Sequence, residues 1–285
     1  MRGLREAIRR VTARPQLLLA VAGLHVAVAL LASGPVSATL QPLLDGRPAA
    51  AGLVRGDDGL AGELFSDHPE ILRVAGASAE WSALFYALLS WILVGGLLSA
   101  LASDDDEHVR GPVAVAAACA RHAGRMVRVG LVGLPLRLLP MAIAAGAWFA
   151  VGHFTKGRGF AELVLGAAVL ALVFGGAWSF ITVSIDYARG LAFADAGLKP
   201  WRAVGRGFTF ALRRFAATTK LAAFSGFGFA LSTGAYLAVA LALPNEPAWA
   251  FVALTLLRLG LVLARAFFTV STLTAAALAV RTAAQ

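Results

Sequence analysis

The residues best placed to do chemistry in this sequence are charges set inside apolar runs. Arg258 and Arg265 stand seven apart, on one face of any helix that contains them, with Thr269, Ser271 and Thr272 following. Arg137 lies between Pro135 and Pro140, a pair that interrupts helical hydrogen bonding and frees backbone carbonyls. Glu162 and Asp186 mark the two ends of another apolar run. At bilayer depth a charge costs roughly 2.5–3.5 kcal/mol on insertion scales, so each such group needs a partner or a role. Matching depths predicts two ion pairs, Glu162 with Arg258 and Arg137 with Asp186. The alternative is a polar cavity in which Arg258 and Arg265 hold an anionic substrate or lipid headgroup.

Other reactive types carry less. His25 is a lone histidine on an apolar run and reads as a core hydrogen-bonding group rather than a proton relay. Asp67, His68 and Glu70 cluster with no second histidine nearby, which favours a solvated charge group over a cation site. Ser179, Ser184 and Ser232 have no His/Asp arrangement beside them to activate a nucleophile. The single Cys119 excludes an internal disulfide and a multi-cysteine metal site. No phosphate loop, dinucleotide-binding glycine motif or His-Glu-x-x-His is present. The expectation is therefore a non-enzymatic protein with no metal and no cofactor.

The elements that must position these residues are membrane spans. Hydrophobic residues make up 59% of the 285 and charged residues 14%, against roughly 45–50% and about 25% in a soluble domain. A mean hydropathy of +0.76 leaves too little polar side chain to cover a water-soluble globule. Six stretches reach the roughly 20 residues a bilayer requires: 16–33, 81–102, 129–151, 160–185, 221–243 and 248–280. The predicted fold class is all-α, a polytopic bundle of six transmembrane helices in one membrane domain, residues 1–285. Residues 34–80 form an outer loop, acidic on balance, in which Ala38–Leu44 and Leu60–Val74 could make short helices.

Lys and Arg gather on one side of these spans, which the positive-inside rule makes the cytoplasm. The outer segments hold only Arg47, Arg55, Arg73, Lys156 and Arg158. Both termini are then cytoplasmic, and Trp81, Trp148 and Trp249 fall at outer span ends. The basic start, apolar run and Val36-Ser37-Ala38 imitate a secretory signal, but the long basic leader favours a signal anchor.

A repeat accompanies this topology. A basic amphipathic segment precedes each outward-going span, carrying Arg9 and Arg10 in residues 1–14 and Arg121, Arg125 and Arg128 in 104–128. The third, in 187–220, carries Arg202, Arg206, Arg213 and Arg214. Each would lie along the inner leaflet, its apolar side in lipid and its arginines toward anionic headgroups. That position makes lipid, not nucleic acid, the expected partner. The acidic run Asp104–Glu107 lies near the positive end of the second segment. Small residues every four positions in the fifth span, including Gly226, Ala230 and Gly234, predict close packing on a neighbouring helix. Gly95-Gly96 and Gly175-Gly176 could act similarly.

The order of parts resembles bacterial six-span inner-membrane proteins that are similar to the membrane domain of glycerophosphodiester phosphodiesterases. The residues carrying it are Gly95-Gly96-Leu97-Leu98, Asp186-Tyr187-Ala188-Arg189 and the basic helix Trp201–Phe215. The resemblance implies a six-helix bundle; the catalytic phosphodiesterase domain has no counterpart, so no activity carries over. The functional expectation is a permease-like or lipid-associated inner-membrane component acting with a protein partner or ATPase subunit. The alternative is a scaffold that organises the membrane through its basic helices.

Overall fold

The computed structural model describes residues 2–44, 66–102, 111–154, 160–242 and 248–284. They form eight helices and no strand: α1 (Arg2–Thr12), α2 (Pro15–Leu44), α3 (Pro69–Leu101), α4 (Pro112–Phe154), α5 (Phe160–Ala194), α6 (Pro200–Arg213), α7 (Phe215–Ala242) and α8 (Ala248–Ala284). Four of them open on proline, where the missing N–H is one no helix could use and the ring presets φ. Gly111, just ahead of α4, takes φ +108°, a turn that only glycine makes without strain.

Among the described residues, four segments are long and apolar enough to cross a membrane: Pro15–Leu44, Pro69–Leu101, Pro112–Ala147 and Thr255–Ala283. This is the build of a multi-pass membrane protein. Large apolar side chains along the helices, such as Leu138, Ile143, Val173 and Leu256, stand exposed. In water such surface would be prohibitive, while in lipid it is the expected exterior.

The chain divides into two compact units. One holds Met1–Pro15, Trp91–Ala230 and Phe267–Gln285; the other holds Gln16–Ser90 and Leu231–Ala266. In the first, Ala7 of α1, Val183 and Tyr187 of α5, Ala211 of α6, Leu221 and Ala222 of α7 and Ala275, Ala276 and Val280 of α8 form one buried cluster. A second cluster joins Val129 of α4, Ala188 and Ala192 of α5, Leu198, and Ala203 and Val204 of α6. Both are dominated by small side chains, so backbones approach closely and dispersion contacts replace a solvent-driven effect.

Three expectations are revised. The segment 34–80 is not a loop throughout, because α2 continues to Leu44 and α3 begins at Pro69. Ser78 of α3 donates to the Ala32 carbonyl of α2 at 2.6 Å, tying that hairpin beyond its predicted spans. Ala38–Leu44 is thus the end of α2, which runs through Pro35 and Pro42; an interior proline removes one hydrogen bond, and the apolar run sustains the rest. Residues 45–65 lie outside the described residues, as do 103–110, with Asp104–Glu107. Next, the basic segment around Arg121–Arg128 is no separate helix but the first turns of α4, whereas α1 and α6 are distinct from the spans after them. Arg214, at φ −111° and ψ 39°, makes the break between α6 and α7. Finally, the apolar side of α6 is divided between protein and surface. Ala203, Val204, Gly207 and Ala211 are buried in protein, while Trp201 and Leu212 join Arg202, Arg206 and Arg213 at the surface.

Glycine positions show where contact is tightest. A Cβ at Gly207 would lie 2.6 Å from the Ala188 nitrogen and 2.8 Å from the Ser184 carbonyl oxygen. At Gly95 it would lie 2.6 Å from the His122 Cβ, and at Gly96 2.8 Å from the Val115 carbonyl oxygen. Gly175 and Gly176 have open space instead. We therefore expect Gly207→Val to destabilise by about 1–3 kcal/mol through overpacking against backbone that cannot move aside. Gly175→Ala should be neutral or stabilising by up to about 1 kcal/mol. Thermal unfolding in detergent, followed by size-exclusion fluorescence, separates the two.

Candidate functional site

The buried polar centre of the first unit is built on one turn of α5. Asp186 accepts from Arg189 Nη1 at 2.8 Å, three residues on, with side chains 6% and 7% exposed respectively. Arg137 of α4 adds a second favourable charge to the Asp186 carboxylate. The charge of the expected partner, Arg137, thus acts on Asp186, and Arg189 pairs with the same carboxylate from its own helix. That residue reads in the sequence as one more positive-inside charge; its i,i+3 spacing from Asp186 was the available signal. Removing one member of such a pair leaves a buried charge and costs several kcal/mol, whereas the intact pair is near neutral. Between them, Tyr187 packs against Phe210 at 4.8 Å and its hydroxyl meets Thr218 at 3.4 Å. Asp186-Tyr187-Ala188-Arg189 is therefore the place where α5 receives α6.

Arginines terminate the helices of this unit. Arg10 Nη1 of α1 donates to the Leu101 carbonyl at 3.0 Å. Arg14 donates to Ala100, and Arg281 of α8 to Ala102. Three guanidinium groups from distant parts of the chain thus serve the last carbonyls of α3, which has no glycine after it to close its own end. Arg125 of α4 does the same for α5, donating to Ala192 at 3.0 Å. Sequence reasoning counted these residues as topology signals; the absent C-cap after Leu101 was the overlooked sign that something else must satisfy those carbonyls.

Arg121, Arg125 and Arg128 fall at i, i+4 and i+7 on α4 and line a cavity of about 290 Å³. Gly124, Ala196, Leu198 and Pro200 complete its wall. Arg121 and Arg128 are exposed, and among the described residues neither has a carboxylate or carbonyl partner.

In the second unit the polar group is His25. Its Nδ1 lies 2.7 Å from the Val21 carbonyl, and Tyr86 Oη lies 2.8 Å from Nε2. A carbonyl can only accept, so Nδ1 carries the proton and Nε2 accepts from the tyrosine. The charge of Arg265 acts on this imidazole. Arg265 and Arg258 are both exposed on α8. The Glu162 side chain lies outside the described residues. His68 and Glu70 pair at 3.0 Å at the start of α3. In α7, a Cβ at Gly226 would lie 3.2 Å from Ser179 Oγ, but Ala230 and Gly234 are exposed. The closest contact falls at Gly228, against the Phe268 ring.

No family model matches the chain, and neither a curated protein nor a solved structure does so.

Two outcomes follow. Tyr86→Phe keeps the ring contact but strips the hydrogen bond from Nε2, and should lower stability by about 0.5–1.5 kcal/mol in thermal unfolding. Glu6 accepts from Arg9 Nη2 and Arg10 Nε, both at 2.8 Å, and these bonds hold its carboxyl down to about 2 from an ordinary 4.5. Its contribution to holding Arg10 is fully present above pH 4.5 and is lost as pH falls toward 2. We expect wild-type stability to decline across that interval and Glu6→Gln to flatten the decline, read from melting midpoints against pH.

Proposed function

We propose that this chain is a six-span bacterial inner-membrane protein with both termini in the cytoplasm. It acts as a non-enzymatic, lipid-associated component, permease-like in build, together with a protein partner. One observation carries the reading: the exposed basic side chains of α1, the start of α4 and α6 all belong to a single compact unit, beside helix ends capped by further arginines. Such a surface suits anionic phospholipid headgroups, each basic residue near an anionic leaflet being worth about 1 kcal/mol. At 35 and 28 residues, α5 and α7 are long enough to supply the remaining two spans. The resemblance to the membrane domain of glycerophosphodiester phosphodiesterases supports the same six-helix plan.

The second reading, a scaffold, draws on the capping arginines: Arg10, Arg14, Arg125 and Arg281 hold helices together. On that reading the basic surface organises neighbours and no ligand is moved.

Two measurements test the proposal. In a Cys119→Ala background, Arg5→Cys should react with an impermeant maleimide only after the membrane is opened, while Asp57→Cys should react in intact spheroplasts. The reverse pattern contradicts the topology. Native mass spectrometry of the gently extracted protein should show anionic phospholipid retained in preference to phosphatidylethanolamine; equal retention contradicts the lipid-associated role. A stoichiometric subunit in the same spectrum identifies the partner.

A further inference from the structure

The cavity between the first turns of α4 and the segment leading into α6 gathers positive charge that no acidic side chain among the described residues is seen to pair with. Arg121 and Arg125 are four apart and Arg125 and Arg128 three apart, spacings at which like charges on a helix repel. Arg125 is drawn off to the Ala192 carbonyl. Arg121 and Arg128 have no such acceptor among the described residues. Pro200, on the cavity wall, is the first residue of α6, so that helix directs its positive end there. The N-cap residue is Lys199, whose side chain makes no cap hydrogen bond and adds a charge of the same sign as the dipole. A helix N-terminus ordinarily selects Ser, Thr, Asp or Asn, whose oxygen takes up the free N–H groups. Asp195, just ahead of α6, accepts from the Gly197 N–H at 2.9 Å through its Oδ1. The arrangement places like-charged guanidinium groups around a helix end without a side-chain cap.

From this geometry we propose that the cavity is a binding site for a phosphate monoester group. A dianionic phosphate offers acceptor oxygens in directions that guanidinium forks bond in pairs. It would sit between Arg121 and Arg128, with the α6 N-terminus on one side, and would supply the negative cap that Lys199 does not. Leu198, buried in the wall, gives the group's organic part an apolar contact. At about 290 Å³ the space is near the lower bound of small-ligand pockets, roughly 300 Å³, and admits a headgroup rather than a large molecule. The phosphate can come from an anionic lipid or from a small soluble phosphate. The inference refines the lipid-associated reading and rests on it for the lipid source alone.

The test uses the full chain in phosphatidylcholine nanodiscs, with and without phosphatidic acid, and a variant combining Arg121→Gln with Arg128→Gln. Arg125 is kept because it holds the end of α5. Retention of phosphatidic acid is read by native mass spectrometry, and inorganic phosphate binding by titration calorimetry. We expect the double variant to lose affinity by about tenfold per arginine. The charge-conserving pair Arg121→Lys and Arg128→Lys should lose less, with an unchanged melting midpoint. Loss of phosphatidic acid that inorganic phosphate does not displace supports a lipid headgroup. Displacement by inorganic phosphate supports a soluble source. If wild type prefers phosphatidic acid and the Gln variant matches it, the cavity assignment is overturned while the lipid-associated reading stands. Binding of neither probe by wild type overturns both.

Discussion

A long apolar helix leaves its last four carbonyls without partners, and in an apolar setting each needs a strong donor. In the unit containing both chain ends that need is met across the sequence by arginine. Arg10, Arg14 and Arg281 converge on the final carbonyls of α3, and Arg125 serves those of α5. Charge-assisted bonds of this kind are worth about 1.5–3 kcal/mol each and also complement the negative helix end. They fix the first helix, the last helix and the end of α3 to one another, and the small-residue packing of the rest of the unit proceeds from that frame.

Packing then follows from side chains that are missing. Gly207 lets α6 lie against the α5 backbone at Ala188, and Gly95 with Gly96 lets α3 lie against α4. Because these contacts are backbone-close, the polar groups among them are confined to a few geometries. Asp186 is paired with Arg189 on its own helix, with Arg137 contributing charge from α4, and Tyr187 is wedged against Phe210 and Thr218. What stays without a carboxylate partner among the described residues is the face of Arg121 and Arg128 beside the start of α6.

Much of this was legible in the sequence because it depends on composition and period. The apolar runs locate the helices, since length and hydropathy leave a bilayer-crossing helix few alternatives. The motif at Asp186–Arg189 and the glycine pair at 95–96 were recognisable as fixed points before their contacts were known. Helix ends were less legible. The first span is expected over 16–33, yet α2 continues through Pro35 and Pro42 to Leu44, because the apolar run outweighs the backbone bond lost at each proline. The capping arginines were invisible for a related reason: whether a guanidinium meets headgroups or a carbonyl 91 residues away is decided by the tertiary fold. Nor could periodicity foresee that the small face of α6 would be buried in protein, since Ala203, Gly207 and Ala211 suit either a lipid or a helix neighbour.

The arginine-capped helix ends are the central claim, and hydrogen–deuterium exchange on the full chain in nanodiscs tests it most directly. The comparison is between Arg10→Gln combined with Arg281→Gln and Arg5→Gln combined with Arg9→Gln, two pairs that remove the same charge. We predict that the first pair accelerates exchange of amides in α1 and the last turn of α3 by at least about tenfold. The second pair, exposed at the surface, should leave the end of α3 unchanged. Equal exchange in both variants would contradict the capping role and reduce these arginines to topology signals.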